Sequence, residues 1–468
     1  MQQAAEAFAH FVAGFDGRRL TSAALAVFRR AYADTVACAV AARREPAAVR
    51  AAAYLAATGR LHPPVRADAR ATLWGLGRCA ALEDAAFYNG LASHALDYDD
   101  VSPPMRGHPS VVLLPALVAV AQARRLPGAE LAAAYAAGLE VIVRLSHAMA
   151  RQHYADGWHA TATLGVLGAA AGSARLLGLD AHATCHAIGL AVAQAGGVRE
   201  SFGTDAKPFQ AGHASACGLR AALLAAQGFT SSASALEGRN GFLHLFGSGE
   251  DLRPHLQGLH EGALEIESSG LDFKKYPMCY AAHRALDAVL DLRRAHALSA
   301  DSVRAVQVRV ARGGLDALLA RLPANGLEGK FSLPYGIASA LVDGAVTFPS
   351  FSADAFARTS VQQLMRRVEV AEDTGPAVPR WAEVIVRSID GTERVARCEI
   401  LRGSAQCPPS DDEVAAKVVD CFDHGGLGKE MAQHLLAFAR DLGEAGGAAA
   451  SDPNAPSAGW LDAFVPRR

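Results

Sequence analysis

The stretch TATLGVLGAAAGSARLL, residues 161–177, shows most clearly how the first half of this chain folds. Its apolar side chains recur at three- and four-residue spacing, which is the period of an α-helix with a buried face. Gly168 and Gly172 flank three alanines within it, and such small residues let neighbouring helix axes approach closely. The same spacing predicts helices over residues 21–42, 109–124, 128–150, 181–194 and 211–227. The sequence up to about residue 265 therefore predicts a compact helical domain.

The pattern changes near residue 271. Residues 303–312 alternate apolar and polar side chains, as a half-buried strand does. Further strands are predicted over 368–370, 381–388 and 394–401, the last two joined by Asp390-Gly391 in a type I′ turn. Helices are predicted over 280–294 and 335–343, and helical spacing returns over 411–440.

From these patterns we expect a mainly α protein with two domains. A large all-helical domain is predicted from residues 1–268 and 405–468, so that it contains both chain ends. An α+β lid domain, residues 269–404, is predicted as an insertion into it. Residues 444–457, rich in Ala, Gly, Ser and Pro, are expected to form a flexible tail.

The bulk composition disfavours several classes of protein. A chain of 468 residues is too long for one ordinary core, and a net charge of -2 offers no basic field for nucleic acid or anionic lipid. The apolar stretch at 111–121 is shorter than the roughly 20 residues that a membrane-spanning helix needs. The N-terminus lacks the features of a signal peptide. We therefore expect a cytoplasmic protein with neither a nucleic-acid nor a membrane partner. Its eight cysteines lack zinc-ligand spacing and are expected to be free thiols.

Carboxylates and a histidine gather after one predicted helix, at Asp97, Asp99, Asp100 and His108. Acidic residues at the end of a helix oppose its dipole, so stability alone does not explain them. A solvated acidic turn with a capping histidine is one interpretation, and a site for proton transfer is another. Three carboxylates with one histidine match no particular metal geometry, so we expect no metal.

Two later segments place ionisable groups beside predicted helix N-termini. His159 directly precedes a helix, whose dipole disfavours the imidazolium form, so this residue is expected to stay a neutral base. Taken alone, it is also explained by a purely structural role. Lys207 lies in a Gly-Thr loop and is expected to be held extended by Pro208. A loop lysine beside a helix N-terminus is a carboxylate or phosphate site, but the spacing is not that of a nucleotide-binding loop.

Taken together and in order, the short motifs of this chain resemble those of the MmgE/PrpD family. That family includes 2-methylcitrate dehydratases, cis-aconitate decarboxylases and iminodisuccinate epimerases. The motifs that carry the resemblance are HALDYDD at 94–100, GHPS at 107–110, GWH at 157–159, FGT at 202–204 with Lys207, AG at 211–212, YPMC at 276–279 with His283, FSLPY at 331–335 and LVDG at 341–344. The match spans essentially the whole chain, and the ordered set is specific although each motif alone is not.

The resemblance implies a helical domain built from both chain ends, an inserted lid, an active site between the two, a homodimer, and no metal or organic cofactor. Carried over residue by residue, it implies a catalytic set consisting of Asp97, His108, His159, Lys207, His283 and Tyr335. Contacts to substrate are expected from Arg106, Thr204, Gln210 and Lys274. In this interpretation the cations hold substrate carboxylates, His159 moves the proton, Asp97 orients an imidazole or moves a proton itself, and Tyr335 donates a proton or holds the substrate.

The chain also departs from the family pattern, with Val101 where a threonine is frequent and Gln210 where a histidine is frequent. These departures leave the substrate open. The leading hypothesis is a cofactor-independent lyase that dehydrates or decarboxylates a small polycarboxylate such as 2-methylcitrate or cis-aconitate. The alternative is an epimerase of a small dicarboxylate such as iminodisuccinate, because both reactions begin by removing a proton beside a carboxylate. A non-catalytic metabolite-binding protein is the third hypothesis.

Overall fold

The structure, a computed structural model, describes residues 4–63 and 70–443. Its α-helices are α1 (Ala4–Gly14), α2 (Ser22–Ala41), α3 (Pro46–Ala57), α4 (Leu82–His94), α5 (Ser110–Arg124), α6 (Gly128–Ala155), α7 (Ala160–Thr163), α8 (Gly165–Leu177), α9 (Ala181–Val192), α10 (Ala206–Ala226), α11 (Phe242–Phe246), α12 (Arg253–Leu256), α13 (Glu265–Ser268), α14 (His283–His296), α15 (Gly326–Gly329), α16 (Leu333–Asp343), α17 (Ala353–Ala357), α18 (Thr359–Met365), α19 (Asp411–Gly425) and α20 (Gly428–Asp441). The strands are β1 (Arg70–Leu73), β2 (Arg78–Ala81), β3 (Val303–Val310), β4 (Val368–Glu372), β5 (Ala382–Ser388) and β6 (Glu393–Cys398).

The prediction of a mainly α protein is confirmed, since the structure is 58% helical with only small sheets. The chain divides into two compact units. The first unit is Met1–Asp272 with Ser410–Arg468, and the second unit is Phe273–Pro409. The predicted tail at 444–457 lies outside the described residues.

Close helix packing in the first unit depends on small residues. At Gly90 of α4, an added Cβ would lie 3.0 Å from Gly212 Cα of α10 and 2.9 Å from Val111 O of α5. At Gly168 of α8, it would lie 2.8 Å from Gly138 O of α6. Any larger side chain would push these helices apart, because such contacts are far inside van der Waals distance. The Gly90–Gly212 contact also sets the separation of α4 and α10, which both carry site residues.

The prediction that the first unit is all-helical is wrong in one detail, because β1 and β2 form an antiparallel pair. The turn between them contains Gly75 and Gly77 at φ 77° and 60°, a left-handed conformation that costs glycine little. The side chain of Asn89 in α4 accepts from Trp74 N at 2.8 Å and donates to Thr72 O at 2.9 Å, which fixes the pair on α4. Strands of four residues with few β-branched side chains give almost no alternation signal.

The second unit contains a four-stranded sheet in the order β4-β3-β5-β6. β3 pairs parallel with β4 and antiparallel with β5, and β5 pairs antiparallel with β6. Val306, Val308 and Val310 are buried on one face of β3, as the alternation predicts. They share a hydrophobic core with residues of α14 and α16.

The β5–β6 hairpin is present, but its predicted type I′ turn is wrong. Gly391 has φ 84°, whereas Asp390 is not left-handed. Ser388 N donates to Thr392 O at 2.9 Å, so the loop has three residues and ends in a left-handed glycine. The Asp390 carboxylate accepts from Thr392 N at 2.9 Å, which stabilises this alternative.

Among the described residues, one helical segment, 160–177, is long and apolar enough to cross a membrane by length and composition. Of that segment, 89% is buried inside the protein, as in the core helix of a helical domain. The C-terminal helices α19 and α20 belong to the first unit, where α19 packs on α2. A capping box between Ser410 and Glu413 starts α19.

Candidate active site

Three parts of the first unit bring ionisable side chains together. α4 ends at His94 and continues into the loop that carries the carboxylates and His108; His159 directly precedes α7; and the first turns of α10 supply a cation and an amide. We call the resulting group the site cluster, and it consists of His94, Asp97, Asp99, His108, His159, Lys207 and Gln210.

The site cluster contains a buried ion pair between Asp97 and Lys207. Lys207 Nζ donates to Asp97 Oδ1 at 2.6 Å, and the two side chains are 6% and 5% exposed. Asp97 has φ 54°, a left-handed conformation in which aspartate is tolerated better than most residues. The prediction of an extended Lys207 is wrong, because α10 already begins at Ala206. Pro208 is compatible with this start, since backbone N–H groups of a first helical turn have no intrahelical acceptor.

Asp99 lies between two imidazole rings. His94 Nδ1 is 2.9 Å and His108 Nδ1 is 2.9 Å from Asp99 Oδ2, and His108 Nδ1 is also 2.8 Å from Asp100 O. Burial alone would raise the pKa of Asp99, but His94 and His108 hold it well below its usual value. Because carboxylate and carbonyl oxygens only accept, both Nδ1 atoms carry protons.

His94 stays neutral beside this carboxylate. Burial lowers its pKa to about 4, and the opposing attraction of Asp99 does not offset this. With the proton of the neutral ring on Nδ1, His94 Nε2 keeps its lone pair. That atom is buried and has no hydrogen-bond partner among residues 4–63 and 70–443.

His159 is held as the same tautomer by Gln210. His159 Nδ1 is 2.6 Å from Gln210 Oε1, while Gln210 Nε2 donates to Val198 O at 3.2 Å, which fixes the orientation of the amide. His159 Nε2 is therefore a lone-pair acceptor, and within the described part of the chain it too is buried without a partner. Burial, and then the nearby His94 and Lys207, lower the pKa of His159 well below its usual value. The predicted neutral imidazole is thus present, but burial rather than the dipole of the four-residue α7 is its main cause.

The Asp100 side chain contacts α5 rather than the imidazole rings. Burial raises the pKa of Asp100 well above its usual value, although the hydrogen bond from Ser110 opposes this shift. The Asp100 carboxyl group accepts this hydrogen bond from Ser110 Oγ, which is also 2.6 Å from Tyr135 Oη. The pKa values of neighbouring Asp99 and Asp100 are therefore shifted in opposite directions, since only the Asp99 carboxylate has imidazole partners.

Two predicted substrate contacts of the first unit lie in loops. Arg106, at φ 54°, has its guanidinium carbon 4.7 Å from the ring centroid of Tyr154. Thr204 is exposed, and its hydroxyl donates to Ser201 O at 2.7 Å while it accepts from Ala206 N at 3.2 Å. The Thr204 hydroxyl thus supports the turn before α10.

The other three predicted residues are buried in the second unit. His283 opens α14, with Nε2 at 3.1 Å from Met278 O and its ring against Tyr276. Tyr335, in the first turn of α16, donates its hydroxyl proton to Ser350 O. Lys274 is 1% exposed.

The sequence-based site set omits two members of the site cluster, His94 and Asp99. The available signal is a histidine at the end of an apolar helix, followed by an aspartate five residues later. It is weak, because only the intervening turn makes the two side chains meet.

Four members of the site cluster also approximate a metal site. His94, Asp97, Asp99 and His108 offer ligand atoms that all lie within 4.8 Å of one another. However, the Nδ1 atoms of both histidines face Asp99 and carry protons, and the Lys207 ammonium already neutralises Asp97 at 2.6 Å. A protonated nitrogen has no lone pair for a metal, so only the Nε2 atoms of the two histidines could bind one. A cation would also have to compete with Lys207 for Asp97.

Buried neutral imidazoles beside an ammonium group, held on a helical scaffold, are the groups that acid–base chemistry on anionic molecules requires. Two family profiles match the chain. The MmgE/PrpD N-terminal domain matches residues 6–255, and the MmgE/PrpD C-terminal domain matches residues 276–442. The chain belongs to the MmgE/PrpD family.

Relatives of known activity include cis-aconitate decarboxylases from animals and fungi. The mouse enzyme is 28% identical over 350 residues, which cover 71% of this chain and 70% of the relative. The human enzyme is 28% identical over 347 residues, covering 71% of both chains. Cis-aconitate decarboxylase from Aspergillus terreus is 27% identical over 357 residues, covering 72% of this chain and 71% of the relative.

Proposed function

We propose that this protein is a cofactor-independent lyase that acts on a small di- or tricarboxylate by proton transfer next to a carboxylate. The observation that carries the proposal is the buried Nε2 lone pair of His159, fixed by the 2.6 Å contact of Nδ1 with Gln210. A neutral imidazole of fixed tautomer beside an ammonium group is suited to proton transfer on an anionic substrate. Decarboxylation of a cis-aconitate-like compound is favoured over dehydration, because the matched relatives are named cis-aconitate decarboxylases.

In this proposal His159 exchanges a proton with substrate carbon. In decarboxylation the bond from carbon to a carboxylate breaks, carbon dioxide leaves, and the electron pair stays on the carbon framework until a proton is added. The negative charge of the bound substrate raises the pKa of His159, so that Nε2 takes a proton from solvent and then donates it to that carbon. In dehydration the same Nε2 removes a proton beside a carboxylate, and the leaving hydroxide departs as water after taking that proton.

Lys207 supplies the positive charge in this mechanism. Its ammonium carries three N–H groups, one of which is directed at Asp97. A substrate carboxylate beside Lys207 would gain a charge-assisted hydrogen bond, and the developing carbanion or enediolate would be stabilised by the same group. Asp97 holds the ammonium in place, and His108, with its Nε2 3.8 Å from Asp97 Oδ1, is proposed as a second carboxylate contact.

Gln210 is proposed to act through His159 rather than by contact with substrate, because both ends of its amide are already engaged. For Arg106 and Thr204 a substrate contact remains a proposal from the family resemblance. The same holds for Lys274, His283 and Tyr335 of the second unit. A cytoplasmic homodimer is likewise proposed, and light scattering of the purified protein tests the oligomeric state.

Epimerisation of a small dicarboxylate is the second candidate function. It needs two acid–base groups for one carbon, and the site cluster has two neutral imidazoles, His94 and His159, with ring centroids 5.9 Å apart. The experiment is to incubate the protein separately with cis-aconitate, 2-methylcitrate, citrate and iminodisuccinate and to measure carbon dioxide release and products. Release of carbon dioxide or water supports the lyase, and racemisation without either supports the epimerase.

Removal of metal tests the cofactor-independent part of the proposal. Dialysis against EDTA followed by a metal-free assay should leave activity unchanged, because the site cluster is proposed to use its own protons and ammonium group. Activity that is lost with EDTA and restored by one divalent metal would contradict it and would point to His94, Asp97, Asp99 and His108 as ligands.

A further inference from the structure

Lys417 of α19 reaches the loop between the two site carboxylates. Its Nζ donates to the backbone oxygen of Tyr98 at 2.7 Å and lies 3.9 Å from the centroid of the Tyr98 ring. Tyr98 directly separates Asp97, which pairs with Lys207, from Asp99, which lies between two imidazoles. The contact therefore acts on the backbone that connects the two carboxylates.

The Lys417 ammonium is kept charged although it is buried. Its Nζ is 2.5 Å from Asp34 Oδ1 of α2, and the two side chains are 10% and 3% exposed. Burial alone would lower the pKa of Lys417, but Asp34 raises it above its usual value. Moving a charge from water into the protein interior costs free energy. Apolar residues of similar volume at these two positions would stabilise the fold about as well as the ion pair does. Stability alone therefore does not account for this residue type at position 417.

The residue directly before the contacted Tyr98 has a left-handed backbone. Asp97 has φ 54°, and non-glycine residues remain in this region only where surrounding contacts impose it. Before it, Asp97 N donates to His94 O at 3.1 Å; after it, Val101 pairs with Asp272 through two hydrogen bonds of 2.8 Å. The Lys417 contact with Tyr98 O lies between these two attachments.

We propose that Lys417 is a positioning residue of the site cluster: by holding the Tyr98 carbonyl, it keeps Asp97 directed at Lys207 and Asp99 directed at His94 and His108. It acts through these residues and makes no contact with substrate itself. The C-terminal segment thereby contributes to the catalytic geometry of a site whose other members all lie between residues 94 and 210. The kinetic part of this inference rests on the proposed function, whereas the effect on the loop does not.

The test compares the double variant Asp34→Asn/Lys417→Met with wild type. Removing both charges avoids leaving one buried charge unpaired, which would destabilise the fold for an unrelated reason. Lys429→Met is the matched control, because Lys429 is exposed on α20. Hydrogen exchange followed by mass spectrometry should show amides of residues 95–101 exchanging at least about 10-fold faster in the double variant, with α2 and α19 unchanged. In a substrate assay, kcat should fall about 10- to 100-fold with little change in KM, as expected for misplaced catalytic groups.

A second variant, Lys417→Arg, keeps the charge opposite Asp34 and therefore protects the fold if the double variant is unstable. Its planar guanidinium cannot reproduce the geometry of an ammonium that contacts both Asp34 and Tyr98, so the loop should again exchange faster. Exchange at 95–101 that equals wild type in both variants would overturn the proposal, as would an equal increase across α2, α19 and the loop. If wild type converts no polycarboxylate, the proposed function fails, but the exchange comparison still decides the role of Lys417.

Discussion

Gln210→Met removes the acceptor that fixes the tautomer of His159. In the wild-type protein the Nδ1 proton of His159 is bound by Gln210 Oε1 at 2.6 Å, and Nε2 carries the lone pair. In the variant either tautomer leaves one buried N–H without an acceptor, because His159 Nε2 also has no partner among residues 4–63 and 70–443. The preference of about 1–3 kcal/mol for the Nδ1–H tautomer is therefore lost, and the two tautomers should be similarly populated. Since a proton on Nε2 removes the proposed base, kcat should fall at least about 2-fold.

The assay has two readouts. Steady-state kinetics with the best polycarboxylate substrate gives kcat and KM, and nitrogen NMR of protein labelled at histidine reports which ring nitrogen of His159 carries the proton. Gln227→Met, at the exposed end of α10, is the control because it removes an amide from the same helix far from the site cluster. Gln210 does not fix the active tautomer if Gln210→Met keeps full kcat, or if kcat falls while the His159 proton stays on Nδ1.

Other variants test the charge, the titration and the helix packing of the site. Lys207→Ala should lower kcat by at least about 10²-fold while circular dichroism shows the helical fold; retained activity would disprove the assigned role. Because His94 has a pKa of about 4 in the folded protein and about 6.5 when unfolded, the unfolded state binds the extra proton between these values. The free energy of unfolding should therefore fall by about 3 kcal/mol as pH drops from 6.5 to 4, and the difference between wild type and His94→Gln in urea titrations isolates this term; a pH-independent difference would contradict the assignment. Gly212→Ala places a Cβ against a backbone oxygen of α4 and should destabilise the protein by about 1–3 kcal/mol in thermal melts, and an unchanged melting temperature would show that the helices can separate.

Several helices of the first unit could be predicted because their signal is local, but α4, which carries His94, was not among them. The three- and four-residue spacing of apolar side chains marks α5, α6 and α8, and the structure shows them within a few residues of the predicted bounds. Which helices contact each other was much harder to predict. The contact of Gly90 with Gly212 joins residues more than one hundred positions apart, and nothing in the sequence near either glycine identifies its partner.

The chemistry of the site was predictable in residue type but not in detail. The sequence indicated a neutral His159 and a loop of carboxylates, yet the state of each group depends on contacts that only the fold creates. Two imidazoles hold the pKa of Asp99 well below its usual value, whereas burial raises the pKa of adjacent Asp100. The type I′ turn expected from Asp390-Gly391 also failed to form, because the Asp390 carboxylate stabilises a three-residue hairpin loop instead.

The role of His159 is tested most directly by proton NMR of cis-aconitate with the protein in D2O, run beside His159→Asn, which lacks a titratable ring. Wild type should form a product with solvent deuterium at the carbon next to a carboxylate, and the variant should form it at least about 10²-fold more slowly. Product that forms without deuterium, or equally fast with His159→Asn, would contradict the proposal that the buried imidazole moves the proton.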